Sequence, residues 1–469
     1  MIAEPTVGRI YEPTVEPTVE PPIFPPRLAE GVELLGEFKD SGYSKPPSLI
    51  RRADGQVLQL SRLLYLVARR MDGKQDPLAI ADQVSSDLGR SLSPGQVCYI
   101  IIAKLAPLGI LAGEAGASRV PIAAPLLGLR ARATLMPDRA ANAVGSFLRP
   151  LFHWPVIVAV IAGVLATDYW VFFVHGLSGA FGQVLSDPVD LLLIAALTFA
   201  SAAFHECGHA AACRYGGARP GRIGVGIYLV WPSFFTNVTD SYRLGRGGRL
   251  RTDLGGLYFN LIFILALAAL YDLTSSQLIL LVIMATHLEM LQQLMPFARF
   301  DGYFILSDLV GVPDLFGHVV PVLRGGRSRG PRDQGTAGLH RHARTVITGW
   351  VLCVIPLLTL LFGYMLLHLP ATLRALWHSA SYAMSLTAAG FTHQRYAVAA
   401  VDAISASMAL LSIAGSLFVT SGLARRGISA GAKWSAGRPR RRLVAVLAGA
   451  VLVGLLATFW VTRGEFSGW

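Results

Sequence analysis

From residue 150 onward, long apolar runs alternate with short polar connections. Runs of spanning length fall at 151–174, 189–213, 254–271, 277–297, 345–368, 399–423 and 443–462. A crossing of the hydrocarbon core needs about 20 apolar residues. The stretch "PATLRALWHSASYAMSL" at 370–386 is more mixed and predicts an interfacial helix. Before residue 114 the pattern is that of a small globular unit. "SLIRRADGQVLQLS" reads as two short strands around the turn signal "ADG". "SRLLYLVARRMDG" reads as a helix opened by Ser61, and "DPLAIADQVSSDLG" as a second, with Asp76 as cap and Pro77 at its first position. "SPGQVCYIIIAKLAPLGIL" reads as a third.

The predicted fold is a polytopic α-helical membrane protein of about seven spans, with a small α+β winged-helix-like cytosolic domain at its N-terminus. The expected boundaries are a disordered Pro-rich tail at 1–30, the small domain at 31–113, and a linker or interfacial segment at 114–150. A membrane core at 151–323, a basic loop at 324–344 and accessory membrane helices at 345–469 follow. The tail repeats "EPTV" at 4–7, 12–15 and 16–19, and proline at that density supplies no core.

Composition supports the membrane reading. Hydrophobic residues make up 53% of the 469 and charged residues only 15%, against about 25% charged in soluble domains. The net charge is +12, yet the arginines cluster in alternate connections. Arg130, Arg132, Arg139 and Arg149 precede the first run, and "HGLSGAFGQVLSD" after it carries none. Seven arginines from Arg214 to Arg251 follow the second run, and "DLTSSQ" after the third has none. That alternation is the positive-inside pattern, with the N-terminus cytoplasmic, and it argues against a nucleic-acid partner. The four cysteines, Cys98, Cys207, Cys213 and Cys353, form no CxxC pair and predict no disulfide framework.

The second run contains "FHECGH" at 204–209. Two imidazoles one helical turn apart project from one face and can meet one zinc ion. Glu206, about 100° further round, can reach a water without displacing a ligand. This is the HExxH arrangement of zinc hydrolases, in which the carboxylate deprotonates a water that attacks a carbonyl. A zinc site also needs a third ligand at the same depth. The second run heads inward, the third leaves and the fourth returns, so Asp301 in "MPFARFDGYFILSDL" arrives on the same side as the histidines. A bound ion would offset the cost of placing these polar groups in an apolar run. His287 is read either as a packed residue or as an outer partner of the site, and Asp240 and Tyr242 as part of a loop meeting it. "VGIYLVWPSFF" at 225–235 has strand character, and its edge could take an extended substrate.

"FHECGH", "DLGGLYFN" at 253–260 and "MPFARFDGY" at 295–303 resemble the three signatures of site-2 protease-type intramembrane zinc metalloproteases. The longer phrases "GVGIYLVWPSFFTNVTDSYRLGRGGRLRTDLGGLYFN" and "RFDGYFILSDLVGVPDLF" resemble the peptide zinc metalloprotease branch. That resemblance implies one Zn2+ per chain held by His205, His209 and Asp301, with Glu206 as general base. It also implies a substrate or oxyanion contact for Asn260, for which an interhelical hydrogen bond is the alternative. The family's Asn-Pro is Leu294-Met295-Pro296 here, and its Leu-Asp-Gly is Phe300-Asp301-Gly302. The segment 31–113 resembles PqqD-like domains, which bind leader peptides in pathways for ribosomally made, modified peptides. Together these resemblances imply a bacterial multi-pass membrane endopeptidase cutting a leader or precursor peptide near the cytoplasmic face. Two alternatives stand beside that expectation. One is regulated cleavage of a transmembrane regulator. The other is a non-catalytic peptide-binding, immunity or export partner with a structural zinc. The expected partners are the peptide substrate and the lipid bilayer, with a homo-oligomer or an export partner left open.

Overall fold

The computed structural model describes residues 25–53, 57–112, 129–176, 184, 187–228, 231–323 and 338–464. The repeat-bearing tail, residues 54–56 of the expected turn and most of the expected basic loop lie outside the described residues.

The N-terminal unit holds three strands, β1 (Glu33–Glu37), β2 (Ser48–Arg51) and β3 (Val57–Leu60), in an antiparallel sheet of that order. The sequence pattern announced β2 and β3 but not β1, whose residues are only half-buried. Helices α1 (Arg62–Arg70), α2 (Pro77–Leu88) and α3 (Pro94–Tyr99) pack on the sheet. Two caps are those read from the sequence, and a third, at Ser93, is not. Ser61 accepts from the Leu64 amide, Asp76 accepts from the Ala79 amide with Pro77 next to it, and Ser93 and Gln96 form a capping box. Leu64, Val67, Ile80, Val84 and Val97 form the centre of the core, each fully buried. Residues 25–30, expected in the tail, belong to this unit: Arg27 pairs with Asp72 and Leu28 with Leu111 through isolated bridges.

A second antiparallel sheet, of order β4-β5-β6, lies against the long apolar helices. It consists of β4 (Leu129–Met136), β5 (Ile223–Tyr228) and β6 (Trp231–Thr236). β4 falls in the segment expected as a linker. Its partner is almost a hundred residues away, and long-range pairing leaves no local mark on a strand's composition. α4 (Asp138–Leu148) follows it and packs against α6 (Pro188–Tyr215), the helix that carries the histidines.

The remaining long helices are α5 (Trp154–Tyr169), α7 (Arg246–Thr274), α8 (Gln277–Gln293), α9 (Asp301–Val310), α10 (Arg341–Leu367), α11 (Leu369–Thr392), α12 (Tyr396–Ser435) and α13 (Pro439–Thr462). Six stretches among the described residues are long and apolar enough to cross a membrane: α5 with its extension to His175, α6, α7, α10, α12 and α13. That is compatible with a polytopic membrane protein. The expected fourth span differs. α8 has 17 residues, about 25 Å at 1.5 Å per residue and so shorter than a hydrocarbon core of about 30 Å. It stops at a break before Pro296, whose carbonyl accepts from the Trp350 indole at 2.9 Å. The stretch at 370–386, expected as an interfacial helix, is helical and is not among the six apolar spans. It lies within a 24-residue helix, α11, that folds back on α12 across a short connection.

Candidate metal centre

α6 and α7 cross where both have lost their side chains. A Cβ on Gly208 would strike the carbonyl oxygen of Gly255, and one on Gly255 would sit 2.6 Å from the carbonyl oxygen of Gly208. The backbones therefore approach closely, as small residues permit between apolar helices. The register follows from two contacts. His209 Nδ1 lies 2.8 Å from the Thr252 carbonyl oxygen, and a Cβ on Gly256 would fall on the His205 ring. Thr252 and Gly256 are one turn apart on α7, as His209 and His205 are on α6. Further along the same two helices, Asn260 of α7 and Ser201 of α6 are fully buried, and Asn260 Nδ2 and Oδ1 and Ser201 Oγ have no hydrogen-bond partner.

α9 begins with Asp301. Its start is tucked under the end of α8, because a Cβ on Gly302 would collide with the Leu294 carbonyl. That packing carries Asp301, fully buried, to the histidine pair. His205 Nε2 and Asp301 Oδ2 are 2.9 Å apart, His209 Nε2 and Asp301 Oδ2 3.3 Å, and the two Nε2 atoms 3.1 Å.

Three electron-pair donors thus form a small buried triangle. A tetrahedral ion with bonds of 2.0–2.1 Å has ligand–ligand edges of about 3.3 Å, close to all three separations. The Thr252 carbonyl accepts the Nδ1 proton of His209, which leaves the Nε2 lone pair pointing into the triangle. The residues present fit a zinc ion, and His205, His209 and Asp301 are the group among the described residues that could hold one. Asp301 Oδ1 and His205 Nδ1 lie buried without a hydrogen-bond partner. Glu206, next to His205 on α6, is 2% exposed. Its carbonyl oxygen accepts from Thr236 Oγ1 at 2.9 Å, which ties the end of β6 to the motif.

The other expected site residues go elsewhere. His287 Nε2 lies 3.2 Å from Asp168 Oδ1 on α5, and Nδ1 lies 2.9 Å from the Ile283 carbonyl oxygen, so His287 belongs to the α5–α8 contact. Asp240 accepts from Arg243 Nε at 2.7 Å and from the Arg219 amide at 3.0 Å. Tyr242 packs with Phe38 of the N-terminal unit. Asp240 and Tyr242 therefore serve the docking of the N-terminal unit. Sequence reasoning missed Arg249, which reads as one more basic connection residue. It is 0% exposed and donates from Nε to Asp308 Oδ1 of α9 at 2.8 Å.

Part of the chain is similar to a bacterial protein named for zinc proteolysis. Over 104 residues it is 29% identical to "Putative peptide zinc metalloprotease protein YydH" of Bacillus subtilis (strain 168). The match takes in 22% of this chain and 41% of that relative, so less than half of the relative's length is covered. No family model matches the chain. No solved structure matches it either.

Proposed function

We propose that the chain is a membrane-embedded zinc endopeptidase of the site-2 protease type that hydrolyses a peptide bond near the cytoplasmic face. The observation that carries this reading is the buried His205–His209–Asp301 triangle with Glu206 beside it on the same helix. A purely structural metal needs no carboxylate next to its ligands.

His205, His209 and Asp301 would hold the ion. When bound, zinc supplies a Lewis acid that lowers the pKa of a water in the open position. Glu206 accepts that water's proton and returns it to the departing amine. His209 is held in one tautomer by the Thr252 carbonyl. Asn260, buried with an unpaired amide, offers a donor to the carbonyl under attack. β6 is an edge strand. An extended substrate added there would run past Glu206, because Thr236 is bonded to the Glu206 backbone.

The N-terminal unit lies on the side of the membrane that holds the triangle, since it packs on the residues just before α7. The arginine pattern supports a cytoplasmic placing of that side. The substrate proposed is a leader or precursor peptide of a ribosomally made, modified peptide, presented by the PqqD-like unit. The test is Glu206→Gln in the full chain, co-expressed with a candidate precursor. Zinc content stays at one per chain, and cleavage read by mass spectrometry falls by at least about 100-fold. Unchanged cleavage ends the reading.

A further inference from the structure

Between β1 and β2 the chain runs across the start of α7 and the end of α9. Phe38 is fully buried, and its ring lies 4.2 Å from the Arg249 guanidinium. The Lys39 carbonyl accepts from Arg249 Nη1 at 3.1 Å. Asp40, at a left-handed φ of 53°, accepts the Arg246 amide at 2.9 Å and so caps the start of α7. The Gly42 amide donates to the Gly311 carbonyl at the end of α9, at 2.8 Å. Gly311 itself has φ +74°, and a Cβ there would sit 2.6 Å from the Asp40 carbonyl oxygen. Residues 38–42 are thus a strap that grips the first turn of α7 and the last turn of α9.

Those two helices carry the parts of the metal centre that α6 does not. α7 supplies the Thr252 carbonyl that orients His209, three residues after Arg249. α9 supplies Asp301, seven residues before Asp308. Arg249 joins them directly, through its 2.8 Å bond to Asp308. A buried guanidinium needs its donors used and its faces covered. The strap provides a carbonyl acceptor and an aromatic face, and the Leu244 carbonyl provides a second acceptor at 2.9 Å. With the strap absent, the ion pair opens to water and the α7–α9 spacing loses its clamp.

We infer that the strap of the N-terminal unit, acting through Arg249, holds Asp301 and the His209 orienting carbonyl in register, so that this unit is a working part of the metal centre as well as a peptide-presenting module. Arg249 and Phe38 are positioning residues. This rests on the zinc reading above.

The experiment uses full-length protein purified in detergent, with zinc affinity measured against a chromophoric chelator and geometry read from the visible spectrum of the Co2+ form. Phe38→Ala and Arg249→Lys each weaken zinc binding at least tenfold and alter the Co2+ spectrum, while helical content is unchanged. Phe38→Leu keeps the volume, loses the aromatic face and shows a smaller loss in the same direction. Glu33→Ala, which removes an exposed carboxylate from the same interface, changes neither readout. Wild-type affinity and spectrum in a folded Phe38→Ala or Phe38→Leu protein overturn the inference and leave the zinc reading intact. Failure of the unaltered protein to bind a metal overturns both.

Discussion

Along the most apolar stretch of α7, 39% of residues are buried inside the protein, whereas along that of α13 none is. Both helices satisfy the same length and composition test for crossing a membrane. α7 is notched by glycine where α6 crosses it and carries Arg249, Asp253 and Asn260 at buried positions. α13 also carries glycines, Gly449 and Gly454, with nothing within 4 Å of where a side chain would start. Hydropathy therefore states that a helix can live in lipid. The placing of its small and polar residues against a neighbour states whether it is part of a machine.

The comparison can be broken most severely at a glycine. Gly208→Leu drives a side chain into the Gly255 carbonyl and the Phe259 ring. We expect a loss of at least about 3 kcal/mol, read as loss of folded protein in detergent. Gly454→Leu in α13 should stay within about 0.5 kcal/mol of the parent. Equal effects would show that the two helices are packed alike. A smaller, more selective change is Asp301→Ala. It leaves the crossing intact and removes one donor of the triangle. Zinc affinity should fall more than the roughly 10–100-fold typical of losing an outer partner, and full occupancy at low free zinc would remove Asp301 from the ligand set.

The smallest effect concerns the strap. Tyr43 Oη lies 3.2 Å from His318 Nε2. Burial lowers the His318 imidazole below its ordinary value of 6.5, against an opposing pull from Asp314. The unfolded chain then binds more protons than the folded one as pH falls through that range, so the contribution present above 6.5 is lost at lower pH. Limited proteolysis at 38–44 should quicken modestly between about pH 7.5 and about pH 5.5. In His318→Gln that dependence should vanish.

Much of this was readable from spacing. "HECGH" fixes two imidazoles on one helix face, and Ser61 and Asp76 mark helix starts, because caps and helical periodicity are local properties. Asp301 was reachable because the third and fourth apolar runs form a helical pair that turns the chain back toward the end of α6 that holds the histidines. β4 and β1 were not readable, because their pairing is non-local. Arg249 was misread for a different reason. One more arginine in an arginine-rich connection looks solvated, and only the packing reveals Asp308 beneath it and Phe38 over it. His287 was ambiguous until Asp168 was found on the neighbouring helix.

α12 runs for 40 residues, from Tyr396 to Ser435. At 1.5 Å per residue that is about 60 Å, twice a hydrocarbon layer of about 30 Å. Even a steep tilt of about 40° leaves some 46 Å along the bilayer normal. The helix must therefore stand proud of the lipid like a mast. Arg425, Arg426 and Lys433, all exposed, sit on its later turns. In a bilayer those charges would sit on the part of the helix that projects beyond the hydrocarbon.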